Sequence, residues 1–104
     1  MPKGIALITG AAQGLGKAIA LRLADDGFDV ALNDLPAQAD KLLEVVGEIK
    51  AKGRLSSSHL ADVTVEEQVS AMITEVVQVY DGIDVMIANA GGGQVGQTYG
   101  HVGD

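Results

Sequence analysis

An α/β fold, a mostly parallel sheet with helices on both faces, is the architecture this sequence predicts. Three observations carry that reading. Apolar runs of strand length alternate with longer segments whose apolar residues recur at helical spacing, the pattern of repeated strand–helix–strand units. The runs lack polar alternation, as strands buried on both faces require. The chain has 104 residues, 47% hydrophobic and 20% charged, which is enough apolar material for one core and leaves no room for a second.

The first strand lies in "GIALITG" and closes at Gly10. From Gly14, Leu15, Ala18, Ile19 and Leu23 fall at helical spacing until Asp25, Asp26 and Gly27 end the segment. "FDVALND" reads as a second strand, and Leu42, Val45, Val46 and Ile49 line a second helix that Gly53 closes. "RLSSSHLAD" is a third strand only because its neighbours demand one, since three serines dilute the apolar signal. Thr64 followed by Glu67 predicts a capping box, after which Val65, Val69, Met72, Ile73 and Val76 share a helical face that stops at Gly82. "IDVMIANA" is the fourth strand.

From Gly91 onward, six of 14 residues are glycine and no period of 2 or 3.6 survives. Residues 1–91 therefore read as the folded unit and 92–104 as a glycine-rich, flexible tail. Asp and Glu number 14 against 7 Lys and Arg, a net charge of −7, which repels phosphate backbones and anionic lipid and argues against nucleic acid or membrane partners. No cysteine is present, excluding disulfides, thiolate nucleophiles and Cys–zinc sites and fitting a cytoplasmic location. The five-residue apolar run near the N-terminus is too short for a signal-peptide core or a membrane span.

"TGAAQGLGK", Thr9 to Lys17, joins the first strand to the first helix. Glycines there allow a tight turn and close approach to the main chain, and free N–H groups at a helix start attract an anion such as a phosphate. A P-loop needs four residues between its first Gly and the Gly-Lys pair, then Ser or Thr; here five separate Gly10 from Gly16, and Ala18 follows Lys17. The arrangement Gly-x-x-x-Gly-x-Gly is instead a variant of the dinucleotide fingerprint.

With Asp62-Val63 and Asn89-Ala90-Gly91 downstream in register, the sequence resembles the short-chain dehydrogenase/reductase family from about Lys3 to Gly91. The resemblance implies a Rossmann-like three-layer fold with a truncated parallel sheet of about four strands in the order 3-2-1-4. It also implies that Gly10, Gly14 and Gly16, with the backbone near Gln13 and Leu15, cradle the pyrophosphate of a nicotinamide dinucleotide. Asp34 would accept hydrogen bonds from both ribose hydroxyls and repel a 2′-phosphate, favouring NAD over NADP. Gln13 stands where phosphate-reading members of the family often carry a basic residue, which agrees. Asp62 resembles the adenine-facing aspartate, with Val63 on the ring, and Asn89, Ala90 and Gly91 the segment that steadies the sheet beneath the cofactor. Plainer roles stand beside these: Asp34 as a strand-end turn residue, Asp62 as an N-cap, and Asn89 as a structural residue.

Family catalysis, by the same resemblance, uses a Tyr base, a Lys four residues later and a Ser. Tyr80 has Asp84 and Tyr99 has Gly103 at that spacing, so neither forms the pair. The chain is read as the cofactor-binding half of an oxidoreductase without its catalytic residues, or as a binding module, or as a nonfunctional truncated product. The fourth strand becomes a sheet edge with an apolar face, so self-association or pairing with a related chain is expected. Ser56, Ser57 and Ser58 precede His59, but adjacent strand residues point to opposite faces, so no Ser–His nucleophile pair is expected.

Overall fold

The computed structural model describes residues 2–89 and, as backbone, 97–99. In chain order it contains β1 (Ile5–Ile8), α1 (Gly14–Asp25), β2 (Asp29–Asp34), a 3-10 turn (Pro36–Gln38), α2 (Ala39–Ala51), β3 (Ser56–Leu60), α3 (Glu66–Tyr80), β4 (Val85–Ala88) and β5 (Gln97–Tyr99). The sheet order is β3-β2-β1-β4-β5. The first four strands are parallel, with Leu7 opposite both Ala31 and Met86, and Ala31 opposite Ser57. This is the Rossmann-like order expected, and the serine-rich third strand forms as its neighbours require.

Residues along each central strand alternate between two cores. Ile8, Val30 and Leu32 join Leu42, Val45, Val46 and Ile49 of α2 and Ala20 and Ala24 of α1. Leu7 and Ala31 face the other way, against Met72 and Val76 of α3 and Ile83. The helical spacing read from α2 therefore identifies its buried face without error. α1 differs: its buried positions are the small residues Gly16, Ala20 and Ala24, while Ile19 and Leu23 pack at the margin. Small residues bring the helix axis close to the sheet, which matters for the turn that precedes it.

Three local features depart from expectation. The capping box is not formed: α3 begins at Glu66 after Val65, with no side-chain cap. The Thr64 hydroxyl instead donates to Asp62 Oδ1 at 2.6 Å, a local turn in which the charged acceptor two residues back holds the side chain away from the helix start. At the other end of α3 the left-handed residue is Asp81, φ 65°, one position before Gly82; Asp tolerates that conformation better than most side chains.

The third departure is β5, antiparallel to β4 with Met86 opposite Tyr99 and Ala88 opposite Gln97. It falls within the segment read as a tail, and it gives β4, expected as an edge, a neighbour on each side. A strand edge with unpaired amides and carbonyls pairs with whatever extended chain reaches it, and three residues are too few to display a period. Ala90, Gly91 and the remainder of the tail, His101 included, lie outside the described residues. Val85, Met86, Ile87 and Ala88 are all only half-buried, so the apolar strand is incompletely covered, as expected. Among the described residues no helix is long and apolar enough to cross a membrane.

Candidate functional site

The turn between β1 and α1 requires its glycines for two different reasons. Gly10 and Gly14 have φ of 64° and 62°, the left-handed region that a Cβ disfavours. Gly16 is required by space: a Cβ there would lie 2.1 Å from Gly10 O and 2.7 Å from Asn89 Nδ2. The helix start and the strand end are thus in backbone contact. Asn89, just past β4, holds this contact in place. Its amide N–H donates to Thr9 Oγ1 at 2.9 Å and its Nδ2 to Gly10 O at 3.5 Å, while Thr9 N donates to Ile87 O at 3.0 Å.

The first intrahelical bond of α1 runs from Lys17 N to Gln13 O, 3.4 Å. The N–H groups of Gly14, Leu15 and Gly16 precede it and have no intrahelical acceptor. No side chain caps them at Gln13, and no acidic residue sits in the first turn. Leu15 points its side chain outward, 56% exposed, leaving its backbone to the turn. Together these amides can hold an anion.

Asp34, at the C-terminal end of β2, reaches the same turn. Its Oδ2 accepts from Ala12 N at 3.0 Å and its Oδ1 from Leu35 N at 2.8 Å. Each carboxylate oxygen keeps a lone pair for a further donor, such as a sugar hydroxyl. The strand end is pinned by Ala61 N, donating to Asp34 O at 3.1 Å, and by the buried Asn33 side chain, whose Nδ2 donates to His59 O at 2.9 Å and Ala61 O at 3.2 Å. Asn33 escaped notice in the sequence because its partners belong to another strand.

A cleft of about 340 Å³ opens beside the turn, lined by Ala12, Gln13, Gly14, Lys17, Lys41 and Glu44. Lys41 Nζ donates to Gln13 Oε1 at 2.9 Å, so α2 contributes a cation that sequence spacing around the glycines did not reveal. Lys17 of α1 pairs with Glu48 of α2 at 3.4 Å.

Asp62 and Val63, expected to face the adenine, have local partners of their own. Asp62 follows β3 and is engaged by Thr64, whose hydroxyl and amide both donate to Oδ1. These bonds, the hydroxyl's first, hold its carboxyl below the usual 3.8. It does not cap α3, which begins after Val65. Val63 packs, partly buried, against the α3 core.

One expectation is corrected outright. Ser57 and His59 are bonded, Oγ to Nε2 at 2.7 Å. Adjacent strand residues do face opposite ways, but residues two apart share a face, which brings Ser57 and His59 together. His59 Nδ1 also contacts Glu75 Oε1 of α3, and Ser57 Oγ lies 2.6 Å from Tyr80 OH.

Comparison with known proteins agrees with this geometry. The family described as short chain dehydrogenase matches residues 4–101. A short-chain dehydrogenase/reductase of Hericium erinaceus, eriH, is 53% identical over 91 residues, 86% of this chain and 36% of the relative. Another short-chain dehydrogenase/reductase, from Armillaria gallica, is 54% identical over 87 residues, 84% of this chain and 33% of the relative. Among solved structures, the L-sorbose reductase of Gluconobacter frateurii, complexed with NADPH and L-sorbose, superposes with a TM-score of 0.82 at 33% identity, covering 90% of this chain and 35% of that one. The chain thus spans about a third of the length of these relatives.

Proposed function

Given that the chain belongs to the short chain dehydrogenase family, we propose that its glycine turn binds a nicotinamide dinucleotide for hydride transfer between that cofactor and an alcohol or carbonyl compound. One observation carries the reading: the Asp34 carboxylate sits on Ala12 N at 3.0 Å, beside three helix-start amides. A diphosphate suits the amides of Gly14, Leu15 and Gly16, and an adenosine ribose suits Asp34. The close approach of Gly16 to Gly10 O sets the helix start directly against the strand end. When bound, the dinucleotide supplies the hydride donor or acceptor; these residues bind and orient it. Asp62, Val63 and Asn89, with Ala90 and Gly91, complete the proposed cofactor-binding set.

Asp34 favours the unphosphorylated cofactor, NAD, because a fixed carboxylate repels a 2′-phosphate and accepts from two hydroxyls. A second reading, use of NADP, is supported by Lys41 beside Gln13 in the cleft and by the NADPH named with the L-sorbose reductase. Cofactor binding without catalysis is the alternative role, and the half-covered β4 supports self-association or pairing with a related chain.

Calorimetric titration of the chain with NAD and with NADP tests the proposal. Binding of at least one, weakened about tenfold or more for NAD in Asp34→Ala by loss of hydrogen bonds to a charged group, is expected. Absence of heat from both with folded protein would overturn it.

A further inference from the structure

We propose that Ser57 is an activated nucleophile, a second reactive centre separate from the dinucleotide cleft, that takes acyl groups from small activated esters. Its basis is a chain of four side chains linking β3 to α3: Tyr80 OH to Ser57 Oγ, 2.6 Å; Ser57 Oγ to His59 Nε2, 2.7 Å; and His59 Nδ1 to Glu75 Oε1.

In the neutral tautomer that donates from Nδ1 to the Glu75 carboxylate, Nε2 presents its lone pair to the Ser57 hydroxyl. Ser57 Oγ in turn accepts from Tyr80, whose phenol burial pushes up, keeping it a protonated donor. Nucleophile, base and orienting carboxylate thus stand in the order nucleophilic catalysis uses.

Position favours reactivity as well. His59 is 4% exposed, so its ring is fixed by packing. Ser57 is only half-buried and lies on β3, an edge strand of the sheet. It is the second residue of that strand and Tyr80 is the last of α3, the end of the sheet opposite the glycine turn.

In the reaction, Oγ bonds to the ester carbonyl carbon as its proton passes to Nε2. The imidazolium, held against Glu75, returns that proton to the departing oxygen as the carbon–oxygen bond breaks. The products are a Ser57 ester and the free alcohol, with no oxidant or reductant involved.

The test treats the full chain with a fluorophosphonate and with p-nitrophenyl acetate, followed by intact mass and peptide mapping. One adduct per chain, on Ser57, is expected, and none in Ser57→Ala. His59→Gln should slow labelling by about a hundredfold or more, the usual worth of a positioned base. Tyr80→Phe should leave the rate within about tenfold, the scale of one neutral hydrogen bond. Folding of each variant is followed by circular dichroism. Should His59→Gln not fold, Glu75→Gln at an exposed position replaces it, with a loss of about tenfold or more expected. A chain that acquires no adduct on Ser57, or His59→Gln and Glu75→Gln variants that label as fast as the parent, would overturn the proposal. A network that only supports the fold gives the first pattern, with lowered melting temperatures in the variants and no Ser57 chemistry.

Discussion

Replacing Gly16 with Ala tests the glycine turn most directly, because the geometry says what one methyl group must displace. The added Cβ would stand 2.1 Å from Gly10 O, 2.8 Å from Gly10 C and 2.7 Å from Asn89 Nδ2. Ordinary carbon contacts lie at about 3.5–4.0 Å, so the helix start must retreat from the strand end by about 1 Å. Two of the three obstructing atoms are backbone, which cannot swing aside as a side chain can. Overpacking of this kind costs about 1–3 kcal/mol. For a domain this size each kcal/mol lowers Tm by about 4–8 °C, so a thermal melt should fall by about 4–24 °C. The same retreat displaces the helix-start amides and weakens the Asn89 bonds to Thr9 and Gly10. Dinucleotide affinity should therefore fall by about tenfold or more, equivalent to about 1.4 kcal/mol. Gly14→Ala is the comparison: its Cβ meets nothing within 4 Å, but φ is +62°, so strain of about 1–2 kcal/mol applies without a clash. A Gly16→Ala chain with unchanged Tm and unchanged dinucleotide binding would refute the close approach on which the site rests.

Three further outcomes follow from particular residues. Leu42→Ala empties a fully buried position between α2 and the sheet and should cost about 2–5 kcal/mol in denaturant unfolding, whereas Leu43→Ala, at a position 56% exposed, should be near neutral. Asp62, its carboxyl held below 3.8 by Thr64, favours the folded state above that value and loses this contribution as pH falls through its lowered folded-state pKa; Thr64→Val should move its NMR titration midpoint upward, and an unmoved midpoint would discount the bond. Tyr80, raised above 10.0 by burial, works in the opposite direction: its contribution is complete below 10.0 and is lost as pH rises toward its folded-state pKa. Phenolate absorbance in the folded chain should accordingly appear at higher pH than in the unfolded chain.

Much of the architecture is legible without coordinates because it depends on local periodicity. The spacing of Leu42, Val45, Val46 and Ile49 marks the buried face of α2, since a helix turns by a fixed angle per residue. The apolar run of β1 places it mid-sheet, where Ala6, Leu7 and Ile8 have no exposed surface. The glycines of the turn stand out because few other residues accept their conformations or leave room for their neighbours. β3 depends on its neighbours instead: its serines carry little apolar signal, and only the parallel order of the other strands secures its place.

What local pattern cannot express is which distant atoms meet. The sequence by itself determined the α/β layering, the family and the glycine turn, because each is encoded within a few residues by period or by backbone conformation. Only the tertiary structure decided that Asp34 rests on Ala12, that Asn89 braces Gly10, and that Lys41 reaches Gln13. It alone aligned Tyr80, Ser57, His59 and Glu75. Apart from Ser57–His59 on one strand, those contacts join residues 16 to 79 positions apart, and they exist because the parallel sheet fixes the height and direction from which each side chain departs.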